Sequence, residues 1–166
     1  MLNLGYNNRV AIINLSYASV EYRDLQEERI EKFIVGHGLG VSLLEEYDRP
    51  SVGSRSDSTI CLMTGPLTAT GFPMANRLTI VFKSPLTGTI AWINIGGYDA
   101  SSLKQVGLDG VIIQGRSETP AYMLINSSQV TIHEAAKVWG AGCNRECKLA
   151  KATAQRCSCI GNWACW

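Results

Sequence analysis

Two cations and a cluster of glycines are where this chain could do chemistry. Arg77 and Lys83 flank the alternating segment Leu78 to Phe82, two Pro-Leu-Thr loops at Pro66 to Thr70 and Pro85 to Thr89 bracket it, and a second loop, Asn94-Ile-Gly-Gly97, follows. Glycine permits close backbone approach and positive φ, and proline stiffens the bond beside it, so the pattern describes shaped backbone near something anionic or planar. That is a docking surface more than a catalytic triad. Arg77 stands at the mouth of a predicted strand with its side chain free to reach across a loop. A guanidinium fork there can hold a phosphate through paired charge-assisted bonds; the alternative is a solvated strand-end cation. Lys83 carries the same two readings, phosphate neutraliser or hydrated strand end. Asn94 can orient a ligand with its amide or turn its carbonyl to a cation, and asparagine is also an ordinary turn residue near glycine.

The remaining reactive side chains form weaker patterns. His133 precedes Glu134 near the start of a predicted final helix, where a polar helix-start residue is the better reading than a metal ligand. Asp99 and Asp109 lie near glycine loops without a second carboxylate in an acid and base arrangement, so both read as turn or helix-cap residues. Cys61 lies in an apolar strand, and the other five of the six cysteines crowd the end of the chain at 143, 147, 157, 159 and 165. Thiolates at that density can bind zinc or an iron-sulfur centre, but Cys-x-Cys at 157 and 159 lacks the Cys-x-x-Cys pairing usual in such sites. Disulfides, unpaired thiols, or a disordered or non-native end are the other readings of this tail.

The elements that must position these residues follow from periodicity. Arg9 to Leu15 reads as a strand that turns at Ser16 to Ser19 into Val20 to Arg23. Leu25, Ile30, Phe33 and Ile34 make one face of an amphipathic helix over Leu25 to Ile34 that Gly36 stops, and Leu39 to Tyr47 forms a second helix ended by Asp48-Arg49-Pro50. Ser51 to Ser58 reads as a polar loop. Strands are predicted at Thr59 to Met63, Leu78 to Phe82, Gly110 to Ile113, Pro120 to Ile125 and Val130 to Ile132. With hairpins outnumbering helices and no βαβ alternation, the fold class is α+β, and two layers with a mainly antiparallel sheet are expected.

The chain has 166 residues, 46% of them hydrophobic, which fits one domain with a real core. Fifteen Lys and Arg against 14 Asp and Glu give a formal charge of +1, so no broad positive field invites nucleic acid or an anionic membrane. No apolar run approaches the roughly 18 to 20 residues of a bilayer span, and no basic-then-apolar leader opens the chain, so a cytoplasmic location is expected.

Phe33-Ile-Val-Gly-His-Gly-Leu-Gly40, Thr64-Gly-Pro-Leu-Thr68, Arg77 with Phe82-Lys-Ser-Pro-Leu-Thr-Gly88, Asn94-Ile-Gly-Gly97, Gly107-Leu-Asp-Gly-Val-Ile-Ile-Gln-Gly115 and Val138-Trp-Gly140 resemble, in order, the N-terminal domain of the tungsten-containing aldehyde ferredoxin oxidoreductases. The resemblance implies a mainly antiparallel two-sheet α+β domain with short flanking helices over 1–140, followed by an atypical Cys-rich tail over 141–166. It implies that this domain is a base for a tungsten (or molybdenum) bis-molybdopterin cofactor whose phosphates are linked by magnesium. By the same resemblance Arg77 lies between the pterin and an iron-sulfur cluster, Asn94 and Gly96 contact the cofactor and the magnesium, Gly97 lets the backbone pass closely, and Lys83 is a further cofactor-binding candidate. His37 stands where relatives usually have Arg or Lys. The implied activity is oxidation of an aldehyde to a carboxylic acid with electrons passing to ferredoxin, and the [4Fe-4S] ligands belong to helical domains downstream. The chain stops where those domains would begin, so a separate chain supplying them, or a non-catalytic truncated remnant that keeps the fold as an interaction module, are both expectations to carry forward, and the isolated chain is expected to be inactive.

Overall fold

The computed structural model describes residues 5–34, 36–48, 58–127, 129–136 and 139. The Ser51 to Ser58 loop apart from its last residue, and the 141–166 tail with its five cysteines, lie outside the described residues. The elements run β1 (Arg9–Asn14), β2 (Ser19–Asp24), α1 (Glu27–Phe33), α2 (Gly36–Tyr47), β3 (Thr59–Thr64), β4 (Arg77–Lys83), β5 (Ile90–Gly96), α3 (Asp99–Gln105), β6 (Gly110–Gln114), β7 (Ala121–Ile125) and β8 (Val130–Glu134). Six strands form one sheet in the order β2-β1-β6-β3-β4-β5, and β7 and β8 form a separate hairpin. Every pairing in the large sheet is antiparallel except β1 with β6. The α+β, mainly antiparallel, two-sheet class expected from the sequence is the one observed.

Two layers become three, because both faces of the sheet are covered. Alternation along the strands decides which residue serves which side. Val10, Ile12, Cys61, Met63, Val81 and Ile112 pack under α2, with Leu39, Leu43 and Leu44 from the helix. Ala11, Ile13, Leu78 and Val111 face the other way, where Ala100 and Leu103 of α3 and Val130 of β8 cover them. Helix α2 lies close on β4 because two of its residues have no side chain. A Cβ on Gly40 would meet Val81 Cγ2 at 2.7 Å, and one on Gly36 would meet Thr79 Oγ1 at 3.0 Å.

Several expectations are corrected. Gly36 does not stop a helix; it begins α2, and the break falls at Ile34, whose φ is 21° and which is 64% exposed instead of packing on the sheet. His133 lies in strand β8, where Thr131 Oγ1 is 2.8 Å from its Nε2 and the Tyr122 ring stacks on it, so it starts no helix. Asp109 is no cap. It is fully buried, pairs with the Lys104 ammonium and accepts the Asn7 backbone N–H at 3.0 Å, tying the segment before β1 to the end of α3. Helix α3 and strand β5 were not predicted at all.

The two edges of the large sheet differ. Strand β2 exposes Glu21, Arg23 and Asp24, whereas β5 carries no charged residue in Ile90–Gly96 and is open along most of its length.

Candidate cofactor site

Strand β4 begins at Arg77 because Asn76 ends the preceding loop and the apolar Leu78 is followed by four residues with β propensity, Thr79 to Phe82. Strand β5 returns antiparallel, and the register places Arg77 opposite Gly96 and Thr79 opposite Asn94. Residues two apart share a face, so Arg77, Thr79 and Val81 lie on the α2 side together with Gly96, Asn94 and Trp92. The Asn94-Ile-Gly-Gly97 segment is therefore a strand end and not a free loop until Gly97, whose φ of 126° turns the chain away.

This pairing brings Arg77, Asn94, Gly96 and Gly97 together. A Cβ built on Gly96 would stand 4.0 Å from Arg77 Nη1, and one on Gly97 would meet nothing within 4 Å. Arg77 is exposed, and among the described residues no carboxylate pairs with it. Asn94 is set by its neighbour across the ladder: the buried Thr79 hydroxyl donates to Asn94 Oδ1 at 2.9 Å. The carbonyl side of the amide being occupied, its NH2 group is the free end. The start of α2 stands against Thr79 with no acidic residue in its first turn, so the positive end of a 12-residue helix adds to the guanidinium charge.

Lys83 is not part of this cluster. It sits six residues along β4, about 20 Å from Arg77 at strand rise, opposite Ile90, and its ammonium is 3.6 Å from Asp48 Oδ2. His37 lies in the first turn of α2 and packs on Trp92, ring centroids 4.4 Å apart and planes tilted by 44°. Trp92 and Thr79 are the residues that sequence reasoning missed. The signal for Thr79 was its register with Asn94, which required knowing that β5 exists. Among the described residues no group of three or more His, Cys, Asp or Glu could hold a metal ion, and no helix is long and apolar enough to cross a membrane.

The sheet and its two covering layers superpose with a TM-score of 0.85 on a solved structure of the active site complex BamBC of benzoyl coenzyme A reductase with 1,5-dienoyl-CoA, at 25% identity over 92% of this chain and 23% of that one. Residues 10–164 match the family described as aldehyde ferredoxin oxidoreductase, N-terminal domain, and the chain belongs to that family. The match runs past Gly140 into the cysteine-bearing tail. The chain is 37% identical over 137 residues to the tungsten-containing aldehyde ferredoxin oxidoreductase of Pyrococcus horikoshii, covering 82% of this chain and 23% of that protein. It is also 30% identical over 143 residues to the aliphatic sulfonate oxidoreductase, WOR-like subunit, of Pyrococcus furiosus, covering 83% of this chain and 22% of that protein. The chain thus spans under a quarter of the length of these relatives.

Proposed function

We propose that this chain is the N-terminal, tungstopterin-binding part of an aldehyde ferredoxin oxidoreductase-type enzyme, contributing to oxidation of an aldehyde to a carboxylic acid with electron transfer to ferredoxin. The observation that carries the reading is the uncompensated Arg77 guanidinium beside Gly96, with the Asn94 amide held NH2-outward by Thr79. The fit to an anionic cofactor rests on that donor set, which presents N–H groups and positive charge without a competing carboxylate, and on the open space at Gly97. Bound tungsten pterin, with magnesium between its phosphates, would supply the redox chemistry.

The roles of the protein groups are then binding and orientation. Arg77 would hold a phosphate oxygen by paired bonds, Asn94 Nδ2 would donate a further bond, and Gly96 and Gly97 would let the ligand approach the backbone closely. Lys83 falls outside the contact set because of its distance and its ion pair with Asp48. The [4Fe-4S] cluster, the closed substrate pocket and the ferredoxin contact would come from helical domains, in the same polypeptide or a separate one. The location is proposed to be cytoplasmic.

Anaerobic reconstitution of the chain with tungsten or molybdenum pterin, followed by metal analysis and pterin release, tests the reading. Retention should fall about 10- to 100-fold in Arg77→Ala, the range expected for losing a hydrogen bond to a charged group, with circular dichroism unchanged. Equal retention by Arg77→Ala, or none by the unaltered chain, would sink it. The same preparation should show no aldehyde turnover with a low-potential acceptor until the helical domains are added, since an open cofactor lacks desolvated surroundings.

A further inference from the structure

Trp92 is the side chain on this face that the proposed phosphate contacts leave unused. It is 54% exposed, on the same face of β5 as Asn94 and Gly96, two residues from the first and four from the second. An indole that large, left open in the middle of a strand, loses much of the apolar burial that usually places it. Its orientation is nevertheless set from behind. The His37 ring at 4.4 Å buttresses it, α2 carries that histidine, and Gly36 and Gly40 let α2 lie low enough on β4 to deliver it. On its own strand pair Trp92 stands opposite Val81, which is fully buried beneath α2.

The spacing has a chemical meaning. Successive same-face positions on a strand are about 6.6 Å apart, so Trp92, Asn94 and Gly96 form a row about 13 Å long. One end is aromatic and the other, beside Arg77, is cationic with amide donors between. A planar heterocycle joined through a short linker to phosphate has that length and that polarity. An exposed aromatic face attracts such a ring by stacking without reading its edge.

We propose that Trp92, buttressed by His37, is a stacking shelf for the heterocycle of the ligand whose phosphate lies at Arg77, Asn94 and Gly96. The shelf rests on the functional reading above for the phosphate end, and on Trp92 exposure and the Trp92–His37 packing for the ring end. A bare phosphate would use only the cationic end. A pterin phosphate would use the whole row.

The test is a set of calorimetric titrations of the full 166-residue chain and its variants with 6-hydroxymethylpterin pyrophosphate, unphosphorylated 6-hydroxymethylpterin and inorganic pyrophosphate, with NMR at the indole N–H of Trp92 in the unaltered chain, assigned with Trp92→Phe, showing which probes reach that ring. The pterin pyrophosphate should bind about tenfold more tightly than inorganic pyrophosphate, the scale of one stacked ring. Trp92→Ala should abolish that increment and leave the pyrophosphate Kd unchanged, and His37→Ala should reduce it by a smaller factor. Arg77→Ala should weaken both phosphate probes while keeping the ratio between them. Equal affinity for the two phosphate probes, or a ratio that survives Trp92→Ala, overturns the shelf while leaving the Arg77 site standing. Binding of the free pterin at Trp92 with no pyrophosphate binding keeps the shelf and overturns the Arg77 site; no binding of any probe overturns both.

Discussion

Cys61 shows how strongly a single position can depend on its surroundings. It has no solvent exposure, and burial, reinforced by the Asp48 carboxylate, pushes its thiol up from 9.0 to about 12. Because the folded value is the higher one, the protonated thiol contributes stability that is fully present below pH 9 and is lost as pH rises towards 12. Between pH 9 and 11, unfolding free energy should therefore fall more steeply in the unaltered protein than in Cys61→Ala, by up to about 1.4 kcal/mol per pH unit. Urea titrations at stepped pH would measure this, and parallel slopes would refute it. The same burial predicts that alkylating reagents reach Cys61 only after denaturation. Other residues divide by how local their meaning is. Arg77 and the glycines of Asn94 to Gly97 were legible as a group because their types and spacing carry the signal. Asp109 was not, because its backbone partner, Asn7, is 102 residues away and a turn-like sequence gives no sign of it.

At the scale of elements, apolar alternation and charge periodicity were enough for β1, β3, β4, β6 and the body of α2. Strand β5 was missed because Ile90–Gly96 is exposed on both faces for most of its length and so lacks the apolar-polar alternation that marks a half-buried strand. Its loss hid the register that aligns Asn94 with Thr79. Helix α3 was missed because it is seven residues long, although Ala100 and Leu103 at helical spacing, Asp99 in its first turn and Gly107 beyond its end are all present. Gly36 was misread because a glycine that ends one helix and a glycine that lets the next lie close on a strand look alike in sequence. Gly40→Ala separates these meanings. In a free helix the change would stabilise by up to about 1 kcal/mol, but against Val81 Cγ2 at 2.7 Å it should cost about 1 to 3 kcal/mol. Denaturant midpoints at constant m-value would decide, and a gain in stability would show that α2 is not pressed on β4 as described.

The whole molecule is a sheet clothed on both faces, with its cationic strand end near one edge. Length and composition made the single core legible. They could not reveal that the β7 and β8 hairpin and α3 share one side, since that depends on long-range contacts such as the bond from the Val130 backbone N–H to Tyr22 Oη, 108 residues apart. The two margins of the large sheet carry different chemistry. At β2, Glu21, Arg23 and Asp24 surround the unpaired backbone with hydrated charge, which discourages another strand from joining. At β5 there is no such guard: seven uncharged residues run along the margin, and among the described residues no ninth strand pairs with it. A sheet built this way has one adhesive margin and one blocked margin, so edge pairing closes on itself at two copies. The chain by itself should accordingly form a dimer edge to edge through β5 as its concentration rises, visible as a sedimentation coefficient that climbs to a dimer plateau and that Ile93→Lys lowers to the monomer value. Association beyond two copies, or association that ignores the lysine, would place the adhesive margin elsewhere.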